Sequence, residues 1–251
     1  MLGAAYEHEK SYRKSSLGGF IHRSRLNTII ATLRRFGSGP GESWADFGCS
    51  NGFIIDTVLS AGGLSVRRVV GYDHSRELLE IAAARRIDTA SFEYRDMNAP
   101  PPQDLNTGSF GLVTCFETLE HVADYKMAFQ HLVEAAMPGG VLVVAVPNET
   151  GLPGLLKLWG RYAMRRNPYG DFLARSGRWA YTRAVLTGSE IESFRQPSTK
   201  GYGPHLGFDF RRLAAHVHAS FVSSGRLALI EQSRTILGMN VILVYEVRHE
   251  G

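Results

Sequence analysis

The chain has 251 residues, 44% hydrophobic and 21% charged, which suits one folded domain with its own core and excludes a disordered chain. A net charge of +4 is mildly basic and does not by itself imply nucleic acid. Two cysteines, Cys49 and Cys115, exclude a disulfide scaffold and a zinc cluster, and no apolar stretch approaches membrane-spanning length. Met1–Glu7 contains no basic region followed by a long apolar run, so no signal peptide is expected and a reducing cytoplasm is the default compartment.

In chain order, an N-terminal segment over 1–40 is expected to be helical, with Ile21, Leu26, Ile29, Ile30 and Leu33 on one side of a helix over 20–36. Ser43–Phe47 reads as a first strand and Gly52–Ala61 as a helix. Arg67–Tyr72 reads as a second strand, and Ser75 caps a helix running to Arg86. Ser91–Tyr94 is a third strand, followed by a loop that Pro100, Pro101 and Pro102 force. Phe110–Phe116 is a fourth strand. A helix over Tyr125–Met137 is closed by Pro138-Gly139-Gly140, and Val141–Val146 is a fifth strand. Residues 150–204 lack strand periodicity and are rich in Gly, Arg and aromatics, the mark of an insertion. Phe208–Ser220 reads as a helix, and Leu227–Gln232 and Asn240–Val247 as two closing strands. The whole, 1–251, is expected to be a single α/β domain that binds its ligand at the carboxyl ends of its parallel strands.

Asp46, Asp73, Asp96 and Glu117 all fall at such ends. Around the first of them runs Trp44-Ala45-Asp46-Phe47-Gly48-Cys49-Ser50-Asn51-Gly52, a strand, a glycine turn and a helix start. Glycines let backbone approach a ligand, and a carboxylate closing the next strand, here Asp73, accepts from ribose hydroxyls. A dinucleotide turn starting at Gly48 would need glycine at 50 and 53, where Ser50 and Phe53 stand, and Asp46 would repel a pyrophosphate. A cofactor with a positive charge and no phosphate fits better.

These residues resemble the first motif of the class I S-adenosylmethionine-dependent methyltransferases, Asp-x-Gly-x-Gly-x-Gly. Asp46, Gly48 and Gly52 match, and Ser50 replaces the middle glycine. The resemblance implies an open, mostly parallel, seven-stranded Rossmann-like sheet with an antiparallel C-terminal strand, and the insertion over 150–204 as a lid on the acceptor. It implies S-adenosyl-L-methionine as cofactor, held by Asp46, Gly48, Cys49, Gly52, Asp73 and His74. Asp96 and Met97 would sit at the adenine, and Phe116 at the end of strand four.

Phe116-Glu117-Thr118-Leu119-Glu120-His121-Val122 adds a second signal. Small-molecule methyltransferases of this class often carry Leu-Glu-His past strand four, facing the methyl group. An imidazole there can take the proton of an acceptor hydroxyl, which makes His121 the catalytic candidate. The Glu117-x-x-Glu120-His121 spacing resembles ubiquinone-pathway O-methyltransferases and RNA 3′-terminal 2′-O-methyltransferases. That resemblance implies Mg2+ or Mn2+ held by Glu117, Glu120, His121 and the later His205, acidifying one hydroxyl of a diol.

Leu155–Arg166 is an apolar helix with a basic end, suited either to packing as a lid or to lying on a membrane surface near a lipid-linked acceptor. Arg175, Arg178, Arg183 and Arg195 are read as a solvated face. The expected function is O-methylation of a small hydroxylated molecule or a glycan, with peripheral membrane contact as a further option. Two other classes stand beside it: an RNA 3′-terminal 2′-O-methyltransferase, disfavoured by the absence of an RNA-binding module, and a non-catalytic partner subunit of the same fold. The oligomeric state is not legible.

Overall fold

Near-continuous apolar runs such as Val69-Val70, Leu112-Val113 and Leu142–Val146 suit strands buried on both faces. The computed structural model describes Glu9, Tyr12 and residues 17–37, 40–100, 108–163, 177–195 and 207–248. These runs form a seven-stranded sheet of β1 (Ser43–Phe47), β2 (Arg68–Asp73), β3 (Ala90–Tyr94), β4 (Phe110–Phe116), β5 (Ala136–Pro147), β6 (Leu227–Arg234) and β7 (Asn240–Val247). Their order is β3-β2-β1-β4-β5-β7-β6, and only β7 runs against its neighbours. The expected fold class is therefore the observed one.

The described helices are α1 (Leu17–Phe36), α2 (Phe53–Ala61), α3 (Arg76–Ala83), α4 (Tyr125–Ala135), α5 (Gly151–Ala163), α6 (Gly177–Thr187) and α7 (Phe210–Val217). One face of the sheet packs Trp44, Val69, Leu112 and Ile242 against Ile29 and Leu33 of α1, Ile55 of α2 and Leu79 of α3. The other packs Phe47, Val113, Val144 and Leu243 against Phe129 and Leu132 of α4 and Leu213 of α7. Helices α5 and α6 keep a small cluster of their own around Leu158, Tyr181 and Ile191.

Local chemistry sets the helix ends. Ser75 accepts the Leu78 amide at 3.3 Å, as its expected cap does, and Asp124 and Asp209 cap α4 and α7 in the same way. Several boundaries differ from expectation, three of them with a clear local form. α3 stops at Ala83, before Arg86, which takes a left-handed φ of 53°. Pro138-Gly139-Gly140 does not close α4; β5 already begins at Ala136, and the register with β4 shifts between Phe110 and Leu112 to absorb the extra residues. α7 ends in a π-helical turn over His218–Val222, which periodicity cannot distinguish from an α-helix.

Beneath the glycine turn lies a buried polar chain that joins β1 to β4. Trp44 Nε1–H donates to Thr114 Oγ1 at 2.7 Å, and that hydroxyl donates to Asp46 Oδ1 at 2.6 Å. Burial disfavours the Asp46 carboxylate, the Thr114 bond partly offsets this, and Asp73 adds repulsion; the outcome is a pKa pushed up to about 7.

Two predictions follow from this chain. Thr114→Val keeps the volume but orphans the Trp44 indole and strips Asp46 of its donor, so it should destabilise the fold by about 2–4 kcal/mol in urea unfolding. The second concerns pH. The native state holds the Asp46 proton up to about 7, whereas the unfolded chain releases it near pH ~4. This stabilising contribution is complete below pH ~4 and declines as pH rises to about 7, by something on the order of 4 kcal/mol. Asp46→Asn should remove that slope, and unfolding curves for both chains at several pH values measure it; parallel slopes would show that Asp46 does not titrate this way.

Candidate functional site

The carboxyl ends of β1, β2 and β4, with Arg25 of α1 and the starts of α2 and α3, line a cleft of about 690 Å³. Its floor is the glycine turn. The amides of Gly48 and Cys49 both donate to the Tyr72 carbonyl, at 2.7 and 2.9 Å, so the turn is strapped to the end of β2. Gly48 is obligatory: its φ is 79°, and a Cβ there would lie 2.1 Å from Thr118 Oγ1. The turn after β1 and the turn after β4 therefore touch, which no side chain at 48 would permit. Ser50, in place of the middle glycine, still takes a left-handed φ of 53°.

Asp73 closes β2 and lies in the cleft wall. Its Oδ2 accepts the Ser50 amide and its Oδ1 the Ser75 amide, each at 2.9 Å, so the carboxylate links the glycine turn to the start of α3. Oδ1 also faces His74 Nδ1 at 3.3 Å, and Oδ2 keeps a second lone pair with which to accept from a hydroxyl. His74, Cys49, Met97 and Phe116, all expected at the cofactor, also line the cleft.

Three other expected cofactor residues sit behind the wall. Asp46 is buried under the turn, its carboxylate directed to Thr114. Gly52 precedes α2, where its φ of 72° and its contact with Ala82 and Phe92 make it a packing glycine. Asp96 turns its Oδ1 to the backbone and side-chain amides of Asn98, at 2.9 and 3.1 Å.

The strongest features of the cleft were not legible in the sequence. Arg25, from α1, donates through Nη1 to Glu117 Oε2 at 2.7 Å and through Nη2 to the Tyr12 hydroxyl at 2.7 Å. Asn240, the first residue of β7, donates to Glu117 Oε1 at 2.6 Å. Burial works against the Arg25 charge, but Glu117, Tyr12 and Glu120 together outweigh it and hold the guanidinium protonated more firmly than usual. Arg25 Nε is buried in the cleft lining and has no hydrogen-bond partner. No spacing rule joins residues 25, 117 and 240, so only the fold could reveal them.

This geometry bears on the metal reading. Both Glu117 oxygens are engaged by Arg25 and Asn240, and Glu120 is buried and absent from the cleft lining. Among the described residues no three His, Cys, Asp or Glu side chains gather as a cation site. His205 lies outside the described residues. The described members of the expected four-ligand set, Glu117, Glu120 and His121, thus do not gather as a Mg2+ or Mn2+ site. His121 does line the cleft, on a turn closed by its own amide donating to the Thr118 carbonyl at 2.9 Å.

The donor set does fit S-adenosylmethionine. A partnerless buried guanidinium N–H suits a carboxylate, Asp73 suits a diol, and Met97 and Phe116 offer apolar surface to a base. Comparison with known proteins agrees. A ubiquinone biosynthesis O-methyltransferase of Methylococcus capsulatus is 31% identical over 149 residues, covering 56% of this chain and 61% of that protein. Its counterpart in Hydrogenovibrio crunogenus is 28% identical over 143 residues, 56% of this chain and 57% of that one. The chain thus spans about three-fifths of the length of these relatives.

Among solved structures, the magnesium protoporphyrin IX methyltransferase of Synechocystis, with bound SAH, superimposes with a TM-score of 0.59 at 16% identity, over 98% of this chain and 95% of that one. The [4+2]-cyclase SpnF matches at 0.56 and 12% identity, over 90% and 81%, which shows how far the fold alone is from specifying a reaction. The methyltransferase-domain family covers residues 21–183, more than half of the chain and all of the glycine turn, Asp73 and the His121 turn; the chain belongs to the class I S-adenosylmethionine-dependent methyltransferases.

Proposed function

We propose that this chain methylates a hydroxyl group of a small acceptor, with a hydroxylated ring as the first candidate. The observation that carries this reading is His121 in the cleft wall, on the turn that faces the glycine loop across Gly48. The relatives' name, ubiquinone biosynthesis O-methyltransferase, supports oxygen as the accepting atom and favours a small molecule over RNA or a non-catalytic role.

S-adenosylmethionine supplies, when bound, a methyl group made electrophilic by its sulfonium. The chain's residues do the rest. Arg25 Nε–H is the donor for the amino-acid carboxylate, Asp73 accepts from the ribose hydroxyls, and Met97 covers the base. His121 removes the proton of the acceptor hydroxyl as the oxygen attacks, because a neutral hydroxyl is a poor nucleophile. Positioning of acceptor and donor in line supplies most of the remaining acceleration.

The test is transfer of a labelled methyl group to a catechol and to its prenylated derivative. His121→Ala should lower the rate by about 10²–10⁴-fold and leave S-adenosylhomocysteine affinity unchanged in calorimetry. Unlabelled acceptors would remove the hydroxylated-ring reading, and a variant with full turnover would remove His121 as base.

The insertion's surface supports a lipid-linked acceptor. Leu152, Trp159 and Tyr162 on α5 and Trp179 and Leu186 on α6 are exposed, with Trp179 80% accessible. Indole rings and nearby arginines favour the headgroup level of a bilayer. Among the described residues no helix is long and apolar enough to cross a membrane, so contact would be peripheral. The chain should cosediment with vesicles containing anionic phosphatidylglycerol, and replacing Trp159 and Trp179 by Ala should reduce the bound fraction several-fold; no sedimentation of the unaltered chain would rule this contact out.

A further inference from the structure

Arg195 belongs to the end of the insertion and, contrary to its reading as part of a solvated face, reaches the turn that carries His121. Its Nη2 donates to the Val122 carbonyl at 2.5 Å and lies 3.5 Å from that of Leu119. These two carbonyls flank Glu120 and His121. The guanidinium stands 5.1 Å from the Tyr125 ring centre and 5.3 Å from that of Phe208, and the two rings meet edge to face. A cation between aromatic faces is held in orientation as well as in place.

The insertion is tied in at further points. Tyr125, the first residue of α4, donates its hydroxyl to Glu192 Oε1 at 2.5 Å, and Glu192 Oε2 pairs with Arg212 of α7 at 3.3 Å. Gly207 packs so closely on the Arg195 backbone that a Cβ there would lie 2.4 Å from the Arg195 nitrogen. The turn is also held by the His121 amide on the Thr118 carbonyl and the Ala123 amide on Asn98 Oδ1.

We propose that Arg195 is a positioning residue for His121: from the insertion it pins the backbone on both sides of the imidazole, so that the acceptor-side cover and the base are set together. The inference deepens the proposed function and rests on His121 being the base. Loss of a charge-assisted bond to backbone frees a local opening and leaves the distant glycine turn alone.

The test needs no identified acceptor. Hydrogen exchange read by mass spectrometry should show peptide 117–124 opening about tenfold more in Arg195→Met, with Gly48–Asp56 unchanged. Modification of His121 by diethylpyrocarbonate should quicken about threefold, and S-adenosylhomocysteine affinity should stay within about twofold of the unaltered chain. Arg195→Lys, which keeps a cation and a donor, should recover part of the protection and serves alone if the Met variant does not fold. Unchanged exchange at 117–124, or acceleration spread equally over Gly48–Asp56, overturns the proposal. A silent His121→Ala in methyl transfer would retire the base while leaving the exchange result to judge Arg195 separately.

Discussion

Arg25 and Glu117 stand 92 positions apart in the chain and 2.7 Å apart in space, and the cleft depends on that contact. Both are largely buried, so each charge would be costly without the other. Removing one partner of such a pair typically costs about 3–5 kcal/mol, because the survivor is left uncompensated. Asn240 takes the second Glu117 oxygen and brings in the start of β7. One carboxylate therefore joins the N-terminal helix, the exit of β4 and the C-terminal strand, beside the cleft at the strand ends.

That geometry has a backbone cost. Glu117 holds a left-handed φ of 52°, as Ser50 does at 53° on the opposite side of the cleft. Such conformations cost roughly 1–3 kcal/mol in non-glycine residues and persist only where their surroundings determine them. Here the determinants are visible: the Glu117 amide donates to the Ala145 carbonyl while its side chain is held at both oxygens, and the Ser50 amide donates to Asp73. Strain on both rims coincides with the place where ligand is expected. Gly48 lets the rims meet at Thr118.

The sheet and the insertion divide the work differently. The sheet is generic to the class, as its likeness to a porphyrin methyltransferase and to a cyclase shows. The insertion has its own small core, meets the His121 turn through Arg195 and meets α4 through Glu192. The insertion's described part is thus independently packed yet joined to the turn that carries His121.

Much of this was legible in the residues. Near-continuous apolar runs mark the strands, and β4 and β7 have the boundaries expected of them. Gly48 and Asp73 are local signals, because a backbone that must pass close to a neighbour needs glycine and a strand-end carboxylate needs no distant partner. His121 belongs to the same group. What only the tertiary structure decided concerns side chains whose role is set by a remote partner. Glu117 has the spacing of a metal ligand, yet Arg25 and Asn240 occupy its oxygens. Asp46 has the place of a cofactor ligand, yet Thr114 draws it beneath the turn. Arg195 looks like surface charge, yet two carbonyls and two rings hold it. Spacing along a chain reports which groups share a turn or a face; which charge neutralises which is an electrostatic matter of distance and burial, and those exist only once the chain is folded.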